Sequence, residues 1–348
     1  MDNFEEKSDE IKNEFSWSKS RDNIFRSCHR RYYYNYYAYL GGWDPMARQA
    51  KRELYVMRYL SARPLLLGKD VHETIAWIIR RLKYYSSPVS PEDAKHKLLK
   101  DMLFVWLSSM KHDYLTYPKE TPGLQESYYL QNLSYGDFEK DYSHAEICIS
   151  NLYETQVYSA LALDPSLRIL QIEQPYSTEV ANIKVWVTSD LILGHKSGRI
   201  EIIDWKTGKD TNEDAIEIQL GVYALYAVDE LKVPVERITV REVNVYTGKE
   251  TPYPATPELL KKAEAYIIDS AGKMTSLLSD PTDNKPLGWQ AFSTTENTIE
   301  CKSCNFRGIC ENIPHITSDN QTESIYAQYF EQEYRRASAT PYGKYLGS

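Results

Sequence analysis

The 348-residue sequence predicts an α/β fold: a central mixed β-sheet flanked by helices, a large helical N-terminal part and a cysteine-bearing C-terminal segment. Three observations carry this prediction. The texture changes near residue 168 from helical periodicity to short Ile/Val-rich runs with turn residues between them. An apolar stripe at helical spacing, EDAIEIQLGVYALYAVDELK (213–232), interrupts those runs and implies a crossover. CKSCNFRGIC (301–310) then places three of the chain's five cysteines at C-x2-C-x5-C spacing.

In chain order, residues 1–14 are acidic and read as a disordered tail. Residues 15–165 form the helical part. FSWSKSRDNIFRSCHRRYYYNYYAYL (15–40) opens on a Ser-rich cap, continues as one helix and is broken by GGWDP. A helical pattern from Arg48 to Tyr85 is interrupted at Pro64, and residues 91–163 are mostly helical around a polar loop near 114–137. The core, 166–280, holds the strands RILQIEQPYSTEV, IKVWVTSDLIL and RIEIIDWKT, the 213–232 helix, a fourth strand ERITVREVNVYTG and a helix over 256–279. Residues 281–315 form the cysteine segment. A charged helix around 321–337 and a polar tail, 316–348, complete the chain and leave a surface for a protein partner.

Composition restricts the function classes. Hydrophobic residues make up 42% and charged residues 26% of the chain, an ordinary globular balance. No run of eighteen apolar residues exists, so no membrane helix is expected. The N-terminus has no apolar core of the secretory kind. Both point to the cytoplasm, where clustered thiols read as metal ligands before disulfides. The net charge of −8 hides an asymmetry: residues 19–83 carry fourteen Lys/Arg against five Asp/Glu. A basic, tyrosine-rich segment on an acidic protein suits phosphate contact; a solvated helix face is the plainer reading.

IIDWKTGK contains Asp204-x-Lys206. Six other acid-x-Lys triplets occur, so the triplet alone says nothing. Its context does. Asp204 and Lys206 close an apolar strand and share a face by period two, and Asp190 lies within apolar surroundings on the preceding strand. A buried carboxylate is costly unless paired or metal-bound. These residues therefore form either a buried Asp–Lys salt bridge or oxygen ligands for a hard cation with an amine beside a phosphate. His72, four residues after Gly68, sits in a helical segment, and Glu173 ends the first strand as a further inward acid with a base or a metal as its partner. Gln219 and Tyr223 are four apart on one helix face.

The order G-x-x-x-H, E-Q-P, strand aspartate, D-x-K-T-G, Q-x-x-x-Y resembles the PD-(D/E)XK nuclease superfamily, and within it the RecB branch. The resemblance implies a restriction-endonuclease-like core. It implies His72, Asp190, Asp204 and the carbonyl of Trp205 as Mg2+ or Mn2+ ligands. Lys206 would orient or activate water, and Gln219 and Tyr223 would position the scissile strand. The usual glycine before the strand aspartate is replaced by Val187-Thr188-Ser189.

Cys28, in RSCHRRYYYNYY, is the candidate fourth thiol for Cys301, Cys304 and Cys310; Cys148 sits on an apolar helical stripe and reads as a core thiol. Four thiolates suit a structural Zn2+ or an iron–sulfur cluster equally. One early cysteine with a late C-x2-C-x5-C resembles the iron–sulfur nucleases, AddB and the CRISPR-associated RecB-like exonucleases. That resemblance implies a 4Fe–4S cluster clasping the chain ends. Arg26, Arg30, Arg31 and Tyr33 would then face nucleic acid, arginines on phosphates and tyrosine on bases, while most of the neighbouring tyrosines pack. The implied activity is hydrolysis of single-stranded DNA or DNA ends, in repair, CRISPR adaptation or phage defence. An endonuclease, a subunit of a larger complex, an RNase of the same fold and an idle end-binding scaffold are the other readings.

Overall fold

The computed structural model describes residues 14–85, 88–131, 133–209 and 213–310, with the side chains of 213–216 left out. The expected N-terminal disorder, apart from Glu14, and the helix at 321–337 lie outside the described residues.

The elements run α1 (Lys19–Ser27), α2 (His29–Tyr33), a π-turn (Tyr34–Ala38), α3 (Gln49–Tyr59), β1 (Leu60–Ser61), α4 (Arg63–Tyr85), α5 (Pro91–Met110), β2 (Gly123–Leu124), α6 (Gln125–Tyr128), α7 (Tyr135–Leu152) and α8 (Gln156–Leu163). The core follows as β3 (Arg168–Val180), β4 (Ile183–Gly194), β5 (Ile200–Lys206), α9 (Glu213–Asp229), β6 (Ile238–Asn244), β7 (Lys249–Pro254) and α10 (Pro257–Thr275). Then come β8 (Leu278–Asp280), β9 (Lys285–Pro286) and α11 (Thr298–Lys302).

One five-stranded mixed sheet has the order β3-β4-β5-β6-β7. A two-residue turn at Ala181-Asn182, both at positive φ, closes the β3–β4 hairpin, the twist-matched geometry for such loops. β5 and β6 are parallel and α9 is their crossover. The sheet is covered on both faces. Ile203 and Trp205 join a core with α4, α5 and α7, whereas Ile200 and Ile202 join a second core with α9, α10 and the N-terminal Trp17, Phe25, Tyr32 and Tyr37. This double burial explains why IEIIDW reads as a continuous apolar run. Trp17 is wholly buried: its N–H donates to the Lys184 carbonyl at 2.8 Å and its indole to Ser270 Oγ at 3.0 Å.

Three differences from the sequence reading have local causes. The 15–40 helix is broken at Cys28, which is extended (φ −169°, ψ 121°); its sulfur caps α2 by accepting from Arg31 N–H at 3.4 Å. The break between α3 and α4 falls at Leu60–Ser61 because this stretch pairs with Gly123–Leu124. Pro64 lies in the first turn of α4, where the missing N–H costs nothing. A fifth strand, β7, carries Pro252 and Pro254 on the sheet edge, where proline is tolerated. Among the described residues, no helix is long and apolar enough to cross a membrane.

Candidate active site

The sheet register assembles the site. The pairs Ile172↔Leu191 and Gln174↔Ser189 flank Glu173 and Asp190; Leu191↔Ile203 adjoins Asp190 and Asp204; Asp204 pairs with Glu242. Four acids from four adjacent strands thus occupy one rung. Like charges set opposite one another destabilise a sheet, so each needs compensation.

Glu173 lies within β3, not at its end, and has φ +47°. A non-glycine residue in the left-handed region is strained and concentrates at functional sites. The twist brings its Oε1 to 3.4 Å from His72 Nδ1, while Asp190 Oδ1 is 3.3 Å from the same nitrogen. Asp190 Oδ2 accepts the Trp205 N–H at 2.6 Å. His72 reaches the rung because α4 lies close to the loop after β5: a Cβ on Gly68 would meet Thr207 Oγ1 at 3.2 Å. Gly68 and His72, four apart, share the face turned to the sheet. Burial alone would lower the His72 imidazole, but Asp190 and Glu173 outweigh it and push it up to about 10. Burial in turn raises Asp190.

Asp204 faces another set of groups. Its Oδ2 is 2.5 Å from Lys206 Nζ, and its Oδ1 accepts from Gln219 Nε2 at 2.9 Å and from the Tyr223 hydroxyl at 3.0 Å. Gln219 also donates to Tyr223 at 2.7 Å. Burial would lower Lys206; Asp204 wins and raises it, so it is an ammonium at neutral pH. Tyr223 is buried and held well above the usual phenol range. α9 presents this pair because Gly221, between them, packs closely on α10: a Cβ there would lie 2.6 Å from Ala263 Cβ.

Ligand atoms of His72, Glu173 and Asp190 all lie within 4.8 Å of one another. Two carboxylates and an imidazole are a donor set for a hard divalent ion. Glu173 Oε1 is buried without a hydrogen bond, as a ligand oxygen would be. The expected trio named Asp204 where the structure clusters Glu173. Asp204 shares the rung, but its oxygens face the amine, amide and phenol. Trp205 is buried beside it. Sequence reading passed over Glu242, a buried acid raised by burial, whose Oε2 has no hydrogen-bond partner.

A model of the PD-(D/E)XK nuclease superfamily matches residues 16–311. The chain belongs to this superfamily. The crystal structure of SSO0001 aligns over 61% of this chain and 85% of that one, at 16% identity and a TM-score of 0.28. No curated protein matches. Superfamily membership carries metal-dependent nuclease chemistry and agrees with the mixed sheet flanked by helices.

This PD-(D/E)XK protein has a second cluster of donors. Cys28, Cys301, Cys304 and Cys310 line one cavity, together with Arg31, Glu300 and Phe306. Residues 292–295 bring the two chain regions together: Arg30 N–H donates to the Ser293 carbonyl, and Arg30 Nε to the Phe292 carbonyl at 2.9 Å. Burial raises Cys301, and pushes Cys304 up to about 11. Cys148 is fully buried in the α4–α5–α7 core.

The residues expected to meet nucleic acid are placed differently. Arg30 is buried over the Trp289 ring at 4.3 Å. Arg31 lines the thiol cavity and pairs with Glu300 at 3.9 Å. Arg26 pairs with Asp22 and lies over Tyr266. Tyr33 packs on Phe292, and Tyr32, Tyr34, Tyr36 and Tyr37 all join hydrophobic cores. None of the four lines the hollow that carries His72 and Glu173. Packing of the two chain regions claims Arg30 and Tyr33, while Arg26 stays half exposed.

Proposed function

We propose that the protein is a Mg2+- or Mn2+-dependent deoxyribonuclease of the RecB-like iron–sulfur type, acting on single-stranded DNA or DNA ends. The observation that carries it is the convergence of His72, Glu173 and Asp190 beside the Asp204–Lys206 pair, with His72 and Glu173 lining an open hollow of about 860 Å3. His72, Asp190 and Glu173, with Asp204 next to them, would hold the metal. When bound, a divalent ion polarises the phosphodiester and makes hydroxide available near neutral pH.

The chain's own groups supply the remainder. Lys206, held as an ammonium, stabilises charge building on the phosphoryl oxygens. Gln219 and Tyr223 fix the rotamer of Asp204 from α9, keeping it beside Lys206 and off the solvent. Glu173, held in its strained conformation, keeps a second carboxylate on His72.

For the thiols we carry the iron–sulfur reading, with a structural Zn2+, which four thiolates suit equally, as the alternative that the purification below decides. The raised thiols must lose protons on coordination, so binding is coupled to pH and to folding.

The test uses end-labelled single- and double-stranded DNA, linear and circular, with Mn2+ or EDTA. Cleavage of linear DNA that EDTA abolishes, with Asp204→Ala and Lys206→Ala slower by at least about a hundredfold, is the expected result. Equal rates for those variants overturn the assignment, cut circles make the enzyme an endonuclease, and preferential cutting of RNA makes it a ribonuclease. Anaerobically purified protein should be brown and bleach with dithionite; a colourless protein containing zinc removes the cluster.

A further inference from the structure

The hollow that holds His72 and Glu173 does not end at the active site. It adjoins a second of about 1010 Å3, and the two share Pro64 and Thr207. Each alone approaches or exceeds the upper size of small-molecule sites. Joined, they make a continuous trough of polymer size that passes His72 and Glu173.

The second hollow contains two aromatic rings that the catalytic groups do not use. His144, from α7, and Tyr246, just after β6, stack with centroids 4.0 Å apart and planes 12° apart. Both rings are half-buried and both line the trough. The pair is fixed to the catalytic strand. His144 Nε2–H donates to the Thr207 carbonyl at 2.6 Å, one residue beyond Lys206. Asn244 accepts from the Tyr246 N–H at 3.0 Å, and its Nδ2 donates to the Gly208 carbonyl at 2.9 Å. Asn151 Nδ2 donates to the Tyr246 carbonyl at 2.8 Å. Lys209 Nζ lies 5.6 Å from the Tyr246 ring centre, and exposed Lys140 lines the same hollow. Of the two acids there, Asp141 is taken by Arg63 at 2.8 Å, leaving Glu139.

A rigid ring stack flanked by ammonium groups, open to solvent and tied to the strand that carries Asp204 and Lys206, has the features of a base platform. Bases stack on aromatic side chains regardless of sequence, and cations hold the intervening phosphates. We propose that the His144–Tyr246 pair receives one base of a single DNA strand, next to the nucleotide whose phosphate is cut, with Lys209 and Lys140 on its backbone. This rests on the nuclease reading above and deepens it: an unpaired strand can offer a free base face, whereas stacked duplex bases cannot. The basic, tyrosine-rich segment near Cys28 is then not the strand's path.

The test is equilibrium binding of the full chain, in Ca2+, to fluorescent single-stranded oligonucleotides carrying one abasic site at successive positions. For the unaltered protein, one abasic position should weaken binding about five- to a hundredfold, the range of one base–aromatic stack. Tyr246→Ser should bind the intact strand as weakly as the abasic one and show no further loss with it; Tyr246→Phe should keep the discrimination. Uniform weakening by Tyr246→Ser, or no abasic position standing out, overturns the platform. The unaltered protein supplies the abasic signature even if Tyr246→Ser fails to fold. Binding with that signature but no cleavage in Mn2+ sinks the nuclease reading alone; cleavage without the signature sinks the platform alone.

Discussion

Glu242 is the residue whose chemistry the fold serves least. It is buried opposite Asp204, with one oxygen unpartnered, and burial and Asp204 both raise it. Burying a carboxylate that is incompletely paired costs free energy, and here burial outweighs the attraction of Lys206. Glu242→Gln should therefore raise stability by about 1 kcal/mol, read as a denaturant midpoint. It should also slow cleavage about tenfold, because Lys206 loses an acid that supports its charge. His72 yields a pH prediction. Its folded-state value, pushed up to about 10, lies above the unfolded one of about 6.5. Its ion pairs with Asp190 and Glu173 therefore stabilise fully below about 6.5 and are lost as pH rises through about 10. In EDTA, the stability gap between the unaltered protein and His72→Gln should close across that window. Mn2+ affinity should rise over the same window, by up to about tenfold per pH unit for one displaced proton, as measured by calorimetry. The histidine was legible only through its motif, since one histidine on a helix says little. Glu173 was ambiguous because its role depends on a left-handed backbone that no residue pattern reveals. Glu242 was invisible: in REVNV it reads as the outward member of an alternating strand.

Of the four strands carrying the rung, the first three were readable almost to the residue, because their periodicity and their turn residues are local signals. β7 was not, since TPYP reads as a loop and becomes a strand only when β6 supplies partners. The helix break at Leu60–Ser61 depends on pairing with a segment more than sixty residues away in sequence, beyond any local window. At this scale the sharpest constraint is Gly221. It stands inside the Gln219–Tyr223 pair, and its backbone touches α10. Gly221→Val would overpack that contact, at a cost of about 1–3 kcal/mol. It should also slow cleavage by displacing the amide and the phenol from Asp204. A melting curve and a rate measured on the folded fraction separate the two effects. An unchanged rate would show that α9 does not position Asp204.

Taken whole, the molecule is closed by residues from its two ends. Cys28 and Cys301 line one cavity although they are 273 positions apart in sequence. A cluster joining them, as proposed above, would restrain the unfolded chain by about 6 kcal/mol on the entropic estimate. Cys304→Ser should accordingly lower the melting temperature of the entire protein, as one transition, and expose the α9–α10 core to hydrogen exchange. Local protection loss confined to residues near 301–310 would contradict this. The convergence was implied by the resemblance to the iron–sulfur nucleases, but the fate of the adjacent arginines was not readable. A basic run looks the same in sequence whether it faces solvent or is drawn inward by Phe292, Trp289 and Glu300.

The cavity also imposes an order of events during synthesis. A ribosome adding about 5–20 residues per second releases Cys28 roughly a quarter-minute to a minute before Cys301 exists. Throughout that interval the early thiol lacks its three later partners, and the strands β3 to β7 are made in its second half. Delivery of the prosthetic group proposed above would wait until Cys310 has been made, and a transcript cut short before codon 301 would yield the rung of acids without that fastening.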